Sequence, residues 1–297
     1  MHKRNKHIAD YNFSKLIEVY PELRSHVFVN TRNNKTLNFA DAQAVKALNT
    51  ALLKFYYNID FWQFPDTNLC PPIPGRVDYI HHIADLLEAS NLNKNITILD
   101  IGTGASCIYP LLGTSEYHWK FVATDSNKKA IAYAKKIIIK NQLNKAIQLK
   151  HQPNTENIFK GIINTSDTFS ASLCNPPFFK NEVEAFEATT RKLKGLGQLT
   201  DLVSRNFAGQ AYELCFKGGE KAFLHTYLYE SSLFKSKCYW YTSLVSNKKN
   251  VKAMQQSLYK LGATAVKVIE MEQGNKKSRV VAWTFLTEKQ QKNWLKN

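Results

Sequence analysis

Apolar positions along the chain fall into two regimes. Before Ile96 they recur at helical spacing: Val45, Leu48, Leu52 and Phe55 follow an Asn38-Phe39-Ala40-Asp41 start, and Val77, Ile80, Ala84 and Leu87 line one face of a second helix. Phe64-Pro65-Asp66 and Cys70-Pro71-Pro72-Ile73-Pro74-Gly75 break the chain between them. From Ile96 onward short apolar runs alternate with helical patterns, the signature of a parallel sheet with crossover helices. The pattern predicts strands at Thr97–Ile101, Phe121–Thr124, Ile147–Lys150, Phe169–Cys174, Tyr239–Leu244, Val266–Glu270 and Val280–Phe285. Helices are expected near Ser106–Leu112, Asn127–Asn141, Phe207–Phe216 and Val251–Leu261. The Gly274-Asn275-Lys276-Lys277 turn is too brief for a crossover helix, so the last two strands should pair antiparallel.

Seven strands, the first five linked by helices and the last two forming a hairpin, match the α/β plan of Rossmann-like, seven-stranded class I methyltransferase sheets. The expected organisation is a mainly helical amino-terminal extension over residues 1–75, with a role in RNA binding, and a methyltransferase domain over residues 76–297. Fold alone does not give function, which must come from a site.

Charge narrows the partner. Lys and Arg number 40 against 24 Asp and Glu, a net +16, which points to a polyanion. No basic amphipathic anchor or lipidation signal supports a membrane surface instead, and no stretch approaches 18 consecutive apolar residues. The basic start, Met1-His2-Lys3-Arg4-Asn5-Lys6-His7, runs into Ile8-Ala9-Asp10-Tyr11-Asn12 without an apolar signal core, so a cytoplasmic protein is expected. Cys70, Cys107, Cys174, Cys215 and Cys238 show no Cys-x-x-Cys or Cys/His ligand spacing. Adjacent His81 and His82 point in different directions on a helix. Reduced, mostly buried thiols and no metal are the expectation.

Two motifs at strand tips carry chemistry. The first strand ends Leu99-Asp100-Ile101-Gly102-Thr103-Gly104-Ala105-Ser106, a Gly-rich turn that lets backbone approach a ligand. A carboxylate before the turn argues against a pyrophosphate and suits a ligand with an ammonium group, such as S-adenosylmethionine. Asp125, at the tip of the second strand, can accept both hydroxyls of a ribose; a plain helix N-cap is the alternative, one that Ser126 could equally supply. The cofactor-binding set is Asp100, Gly102, Thr103, Gly104 and Asp125, with Asn175.

The fourth strand ends Cys174-Asn175-Pro176-Pro177-Phe178-Phe179. Two prolines remove two backbone donors and fix two φ angles, leaving the Asn175 and Pro176 carbonyls available to a ligand. The Asn175 amide adds an acceptor, and Phe178 offers a flat face for a base. An adenine amine is a poor nucleophile because its lone pair is delocalised into the ring. Hydrogen bonds accepted at Asn175 Oδ1 and the Pro176 carbonyl favour a pyramidal nitrogen and free that pair for attack on a methyl sulfonium. Asn175, Pro176, Pro177 and Phe178 are the catalytic candidates. The alternative is a Pro-Pro turn that merely ends a strand.

With these motifs in place the chain resembles the bacterial family of 23S rRNA adenine-N6 methyltransferases of the F type, and the catalytic domain of eukaryotic methyltransferase-like protein sixteen. The resemblance runs through Asn38–Asp41, Leu69–Arg76, Leu99–Pro110, Cys174–Phe179, Gly218-Gly219-Glu220, Ser243–Ser246 and Ala282–Phe285, nearly the whole chain. It implies S-adenosylmethionine as donor and an adenine of 23S rRNA, free or in a pre-ribosomal large-subunit particle, as acceptor. It also implies that Arg76, a cation at a helix start where the dipole disfavours it, meets the donor's carboxylate or RNA.

Basic segments on either side of the site read as RNA contacts: the arm Lys3, Arg4 and Lys6, and the loop Arg191, Lys192 and Lys194. Tyr109, Trp119, Trp240 and Trp283 are assigned to the core rather than to base stacking. A monomer is expected. Two other readings remain at this stage: protein glutamine methylation, which an Asn-Pro-Pro-aromatic motif also serves, and an RNA-binding protein with an inactive methyltransferase fold.

Overall fold

The structure is a computed structural model; it describes residues 1–181, 183–185, 187, 211–273 and 276–296. The expected strands all form, in the order β5-β4-β3-β6-β7-β9-β8. They are β3 (Thr97–Ile101), β4 (Lys120–Asp125), β5 (Ile147–His151), β6 (Phe169–Cys174), β7 (Cys238–Val245), β8 (Ala265–Gln273) and β9 (Lys276–Thr284). The first five run parallel, and β9 pairs antiparallel with both β7 and β8. The order reverses between β3 and β6, the switch point at which open α/β sheets place ligands.

Ahead of the sheet stand α1 (Phe13–Val19), a 3-10 turn (Pro21–His26), a small hairpin of β1 (Val27–Val29) and β2 (Lys35–Leu37), α2 (Ala42–Tyr57) and α3 (Ile73–Glu88). The hairpin lies in a stretch expected to be helical; Asn33, in the left-handed region at φ 60°, turns it. Asp41 caps α2 by accepting from the Gln43 N–H at 2.9 Å. Residue 75 falls within the first turn of α3. The extension has no separate core: Leu16, Leu53 and Tyr57 belong to one buried cluster with Ile98, Phe121 and Ala171 of the sheet. On the opposite face Leu99, Phe159, Tyr227 and Trp283 form the second cluster. Tyr109, Trp119, Trp240 and Trp283 are all buried, as expected.

The basic start is not a free arm. His2, Asn5 and His7 are buried, and the His2 N–H donates to Asp78 Oδ1 at 2.6 Å. Arg4 pairs with Asp85 and donates to the His81 carbonyl, while Lys6 pairs with Glu116. Lys3 alone of the three cations points to solvent without a contact among the described residues. The apolar signal missed this because polar groups dock the segment.

Helices α4 (Ile108–Tyr117), α5 (Lys128–Lys140) and α8 (Lys248–Lys260) match expectation. Two connections depart from it. The β5–β6 link, residues 152–168, contains no helix; Pro153 and a run of Asn and Thr favour turns there. Of the helix expected near Phe207–Phe216, the described residues hold α6 (Ala211–Leu214), and a longer helix follows, α7 (Gly219–Leu233). Apolar periodicity is weak in α7 because its buried face includes Glu220, Glu230 and Ser231 while Tyr229 and Leu233 are exposed. A capping box at Thr287 and Gln290 starts the last helix, α9 (Glu288–Trp294). All five cysteines are free thiols.

Glu230 explains how the helix-free link stays fixed. Its carboxylate accepts from the N–H groups of Ile158 (3.1 Å), Phe159 (2.7 Å) and Lys160 (3.0 Å). Truncation would strand those buried donors. Glu230→Ala should cost about 2–4 kcal/mol in denaturant unfolding and speed hydrogen exchange at those three amides. Unchanged stability and exchange would show that the link is held otherwise.

Candidate active site

The Gly-rich turn is anchored to the neighbouring strand before any ligand is considered. Gly102 and Thr103 N–H groups both donate to the Thr124 carbonyl at 2.9 Å, and the Gly104 N–H donates to Asp125 Oδ2 at 2.9 Å. Gly102 (φ 75°) and Gly104 (φ 65°) occupy the left-handed region, which a side chain would strain. A Cβ at Gly102 would meet nothing within 4 Å, and one at Gly104 only Glu213 Oε1 at 3.9 Å, so both would project into a cavity. From the extension, Trp62 Nε1 donates to the Ser106 carbonyl at 2.8 Å and fixes the far side of the turn.

That cavity, about 270 Å³, lies at the carboxyl edge of the sheet. Its wall brings together Arg76, Gly102, Thr103, Gly104, Asp125, Asn175 and Pro177, residues spread over a hundred positions of sequence. Asp125 is not the α5 cap: Asn127 fills that role, accepting from the Lys129 and Ala130 N–H groups. The Asp125 carboxylate instead joins the turn to α5, with Oδ1 accepting from the Asn127 N–H at 2.8 Å. Each oxygen keeps a second acceptor site. Burial raises its pKa.

Asp100 is fully buried, and neither carboxylate oxygen has a well-formed hydrogen bond among the described residues, although the Thr103 hydroxyl approaches it. Burial pushes its pKa up to about 7; the Thr103 hydroxyl opposes the rise, Asp125 adds to it, and Arg76 opposes it. Thr103 Oγ1 and Arg76 Nε are likewise buried without a well-formed hydrogen bond among the described residues. Arg76 donates from Nη1 to the Tyr109 hydroxyl at 2.9 Å and lies over that ring, 5.6 Å from its centroid. Arg76 and Thr103 line the cavity; Asp100 does not reach its wall and lies buried next to the Ile101–Gly104 stretch that does. Unsatisfied polar atoms of both signs in and just behind one wall are what a zwitterionic ligand would satisfy.

At the tip of β6, Asn175 and Pro177 reach the wall; Pro176 is buried and Phe178 half-buried, neither of them part of it. No hydrogen bond from a described residue occupies the Asn175 amide. The motif is held open by the returning chain: the Phe179 N–H donates to the Leu214 carbonyl (3.0 Å), and the Phe216 N–H to that of Phe179 (2.9 Å). Arg191, Lys192 and Lys194 lie outside the described residues.

Several wall residues escaped the sequence reading. Gln152, Thr155 and Asn157 follow β5, where the rule that ligands sit beyond the carboxyl ends of strands would have directed attention. Glu213 accepts from Asn68 Nδ2 (3.1 Å) and the Leu69 N–H (3.0 Å) and so holds the Leu69–Pro71 wall. Nothing in the sequence marks it.

Residues 1–287 match the family of RNA methyltransferases. Ribosomal RNA large subunit methyltransferase F of Flavobacterium psychrophilum is 46% identical over 301 residues, covering 99% of this chain and 96% of the relative. The protein of the same name from Aeromonas salmonicida is 47% identical over 292 residues, covering 97% and 92%. Among solved structures, the catalytic domain of hMettl16 in complex with a MAT2A 3′UTR hairpin superposes with a TM-score of 0.83 at 31% identity, covering 97% of this chain and 96% of that one. The N-terminal domain of human METTL16 in complex with SAH gives 0.78 at 27% identity, covering 97% and 99%.

The free protein carries its own test of the Asp100 environment. The folded state holds that proton up to about pH 7, and an unfolded chain releases it near pH 4. Wild-type stability therefore falls across that window, a loss an Asn side chain cannot suffer. Between pH 4 and pH 7 the stability of Asp100→Asn relative to wild type should rise by about 2–4 kcal/mol and then level off. Parallel pH profiles in calorimetric unfolding would contradict this.

Proposed function

The chain belongs to the RNA methyltransferase family, with the ribosomal RNA large subunit methyltransferases F, and from that premise we propose that it methylates the exocyclic N6 amine of one adenine in 23S rRNA from S-adenosylmethionine. The observation that supports this best is the single cavity in which the Gly102–Gly104 turn and Asp125 face Asn175 and Pro177. The donor-side groups fit an amino acid joined to a nucleoside. Asp100 and Arg76, oppositely charged and each with an unpartnered polar atom, suit its ammonium and carboxylate. Asp125, anchored from both sides, suits the ribose hydroxyls.

Bound donor supplies an electrophilic methyl group on a cationic sulfur. Asn175 Oδ1 and the Pro176 carbonyl accept hydrogen bonds from the two amine hydrogens, hold the nitrogen pyramidal and aim its lone pair. Phe178 and Pro177 press on the base. The N–CH3 bond forms as the S–CH3 bond breaks, the sulfur leaves as a neutral thioether, and the surplus proton passes from N6 to solvent. No metal is required by this chemistry. We assign Lys3, Arg191, Lys192 and Lys194 to RNA phosphates, and residues 1–75 to acceptor recognition; Arg4 and Lys6 are paired within the protein, with Asp85 and Glu116.

Methyl transfer from labelled donor to total RNA, followed by nucleoside chromatography, should yield N6-methyladenosine; another labelled nucleoside, or labelled protein, would overturn the proposal. Asn175→Ala should lower turnover at least about a hundredfold with donor affinity nearly intact, as expected for a contact made in the transition state. Full turnover in the folded variant would remove Asn175 from the mechanism. Asp125→Ala should weaken donor binding by about 2–3 kcal/mol in calorimetry, and unaltered affinity would confine Asp125 to holding the turn.

A further inference from the structure

Beside the Asn175–Phe179 motif, three chain segments converge on one buried carboxylate. Glu220, near the start of α7, accepts from the Ser246 N–H (2.8 Å) and Ser246 Oγ (2.7 Å) at the end of β7, and from Asn250 Nδ2 (2.6 Å) in the first turn of α8. It is 6% exposed, so these bonds fix the two helix starts against each other. Lys180, next in sequence to Phe179, packs against the same place: a Cβ at Gly219 would sit 3.0 Å from its Cγ. The Phe216–Phe179 backbone bond ties the junction to the catalytic motif.

Around this junction stand Lys217, Lys221, Lys248, Lys249 and Lys252, all exposed. Lys248 and Lys249 open α8, where a cation opposes the helix dipole, and no acidic residue lies in its first turn. Of the carboxylates close by, Glu220 is occupied, and Glu184 accepts from the Lys180 N–H at 2.7 Å. Five like charges gathered beside an adenine-accepting motif are self-repulsive until an anion arrives.

We propose that Lys217, Lys221, Lys248, Lys249 and Lys252, held together through Glu220, form a cradle for the phosphodiester backbone of the acceptor RNA strand as it leaves the Asn175–Phe179 motif. The inference rests on the RNA-methylating reading of the site and adds where the strand runs: past the carboxyl end of β7, away from α5. That helix is itself lysine-rich, with Lys128, Lys129, Lys135 and Lys140 exposed and an exposed Lys145 in the turn that follows, but it flanks the Asp125 side of the cavity. It therefore provides a control of equal charge.

The test compares two variants, each with five Lys→Gln changes. The cradle variant replaces Lys217, Lys221, Lys248, Lys249 and Lys252; the control replaces Lys128, Lys129, Lys135, Lys140 and Lys145. Filter binding to a 23S rRNA transcript over a salt series, without donor, reads the contacts through counterion release. The cradle variant should flatten the slope of log K against log salt by roughly two to four units, and the control by less than about one. In methyl transfer the cradle variant should raise the RNA KM and leave kcat and donor affinity unchanged. Equal flattening in both variants would reduce the effect to net charge, and a cradle variant superimposable on wild type would leave a solvated surface; either overturns the proposal. If wild-type protein transfers no methyl group to RNA, the functional reading falls instead, and the two salt slopes still decide the cradle.

Discussion

A carboxyl group sealed inside the sheet without a well-formed hydrogen bond among the described residues is the constraint from which the rest of the site follows. Asp100 lies on β3 on the same face as Ile98, two residues on, so the strand's own periodicity buries it. A buried carboxylate without hydrogen bonds is unfavourable, and the protein meets the cost by keeping the proton to about pH 7. Everything adjacent is then arranged without neutralising it. Arg76 is held by Tyr109, and Asp125 is held by the backbone of the turn and of α5. Arg76 and Asp125 face the cavity, and Asp100 lies buried next to its Ile101–Gly104 wall.

Keeping such a site open depends on parts distant from it. Trp62 reaches from the extension to the Gly-rich turn, and α3 carries Arg76 because its own buried face joins the core of the sheet. The docked start of the chain reinforces α3 through Asp78 and Asp85. Glu230 fixes one wall, Glu213 another, and Glu220 the junction beyond the Asn175–Phe179 motif. Three carboxylates accepting from backbone amides do here what regular secondary structure does elsewhere: they satisfy donors where the chain must turn.

All seven strands of the large sheet, and the motif residues Gly102, Thr103, Gly104, Asn175 and Pro177 that line the cavity, were legible in the sequence because each rests on a local signal, apolar runs ending in a Gly-rich or Pro-rich tip. The closing hairpin was legible for the same reason, its turn being too short for a crossover. What escaped was governed by polar contacts between distant segments. Helix α7 hides behind the buried Glu220 and Glu230, the β5–β6 link is positioned by a carboxylate 70 residues away, and the basic start reads as a tail until Asp78, Asp85 and Glu116 are brought to it. Spacing could name Asp125 as a ribose ligand or a cap; only the structure passes the cap to Asn127.

The proposed seat of the donor's ammonium is beside the buried Asp100 carboxyl. It is tested most directly by calorimetry of S-adenosylmethionine binding at pH 6 in buffers of different ionisation enthalpy. An ammonium entering beside Asp100 must displace its proton, so the account predicts release approaching one proton per donor bound, and none from Asp100→Asn. Binding with no proton release in the wild-type protein would contradict it.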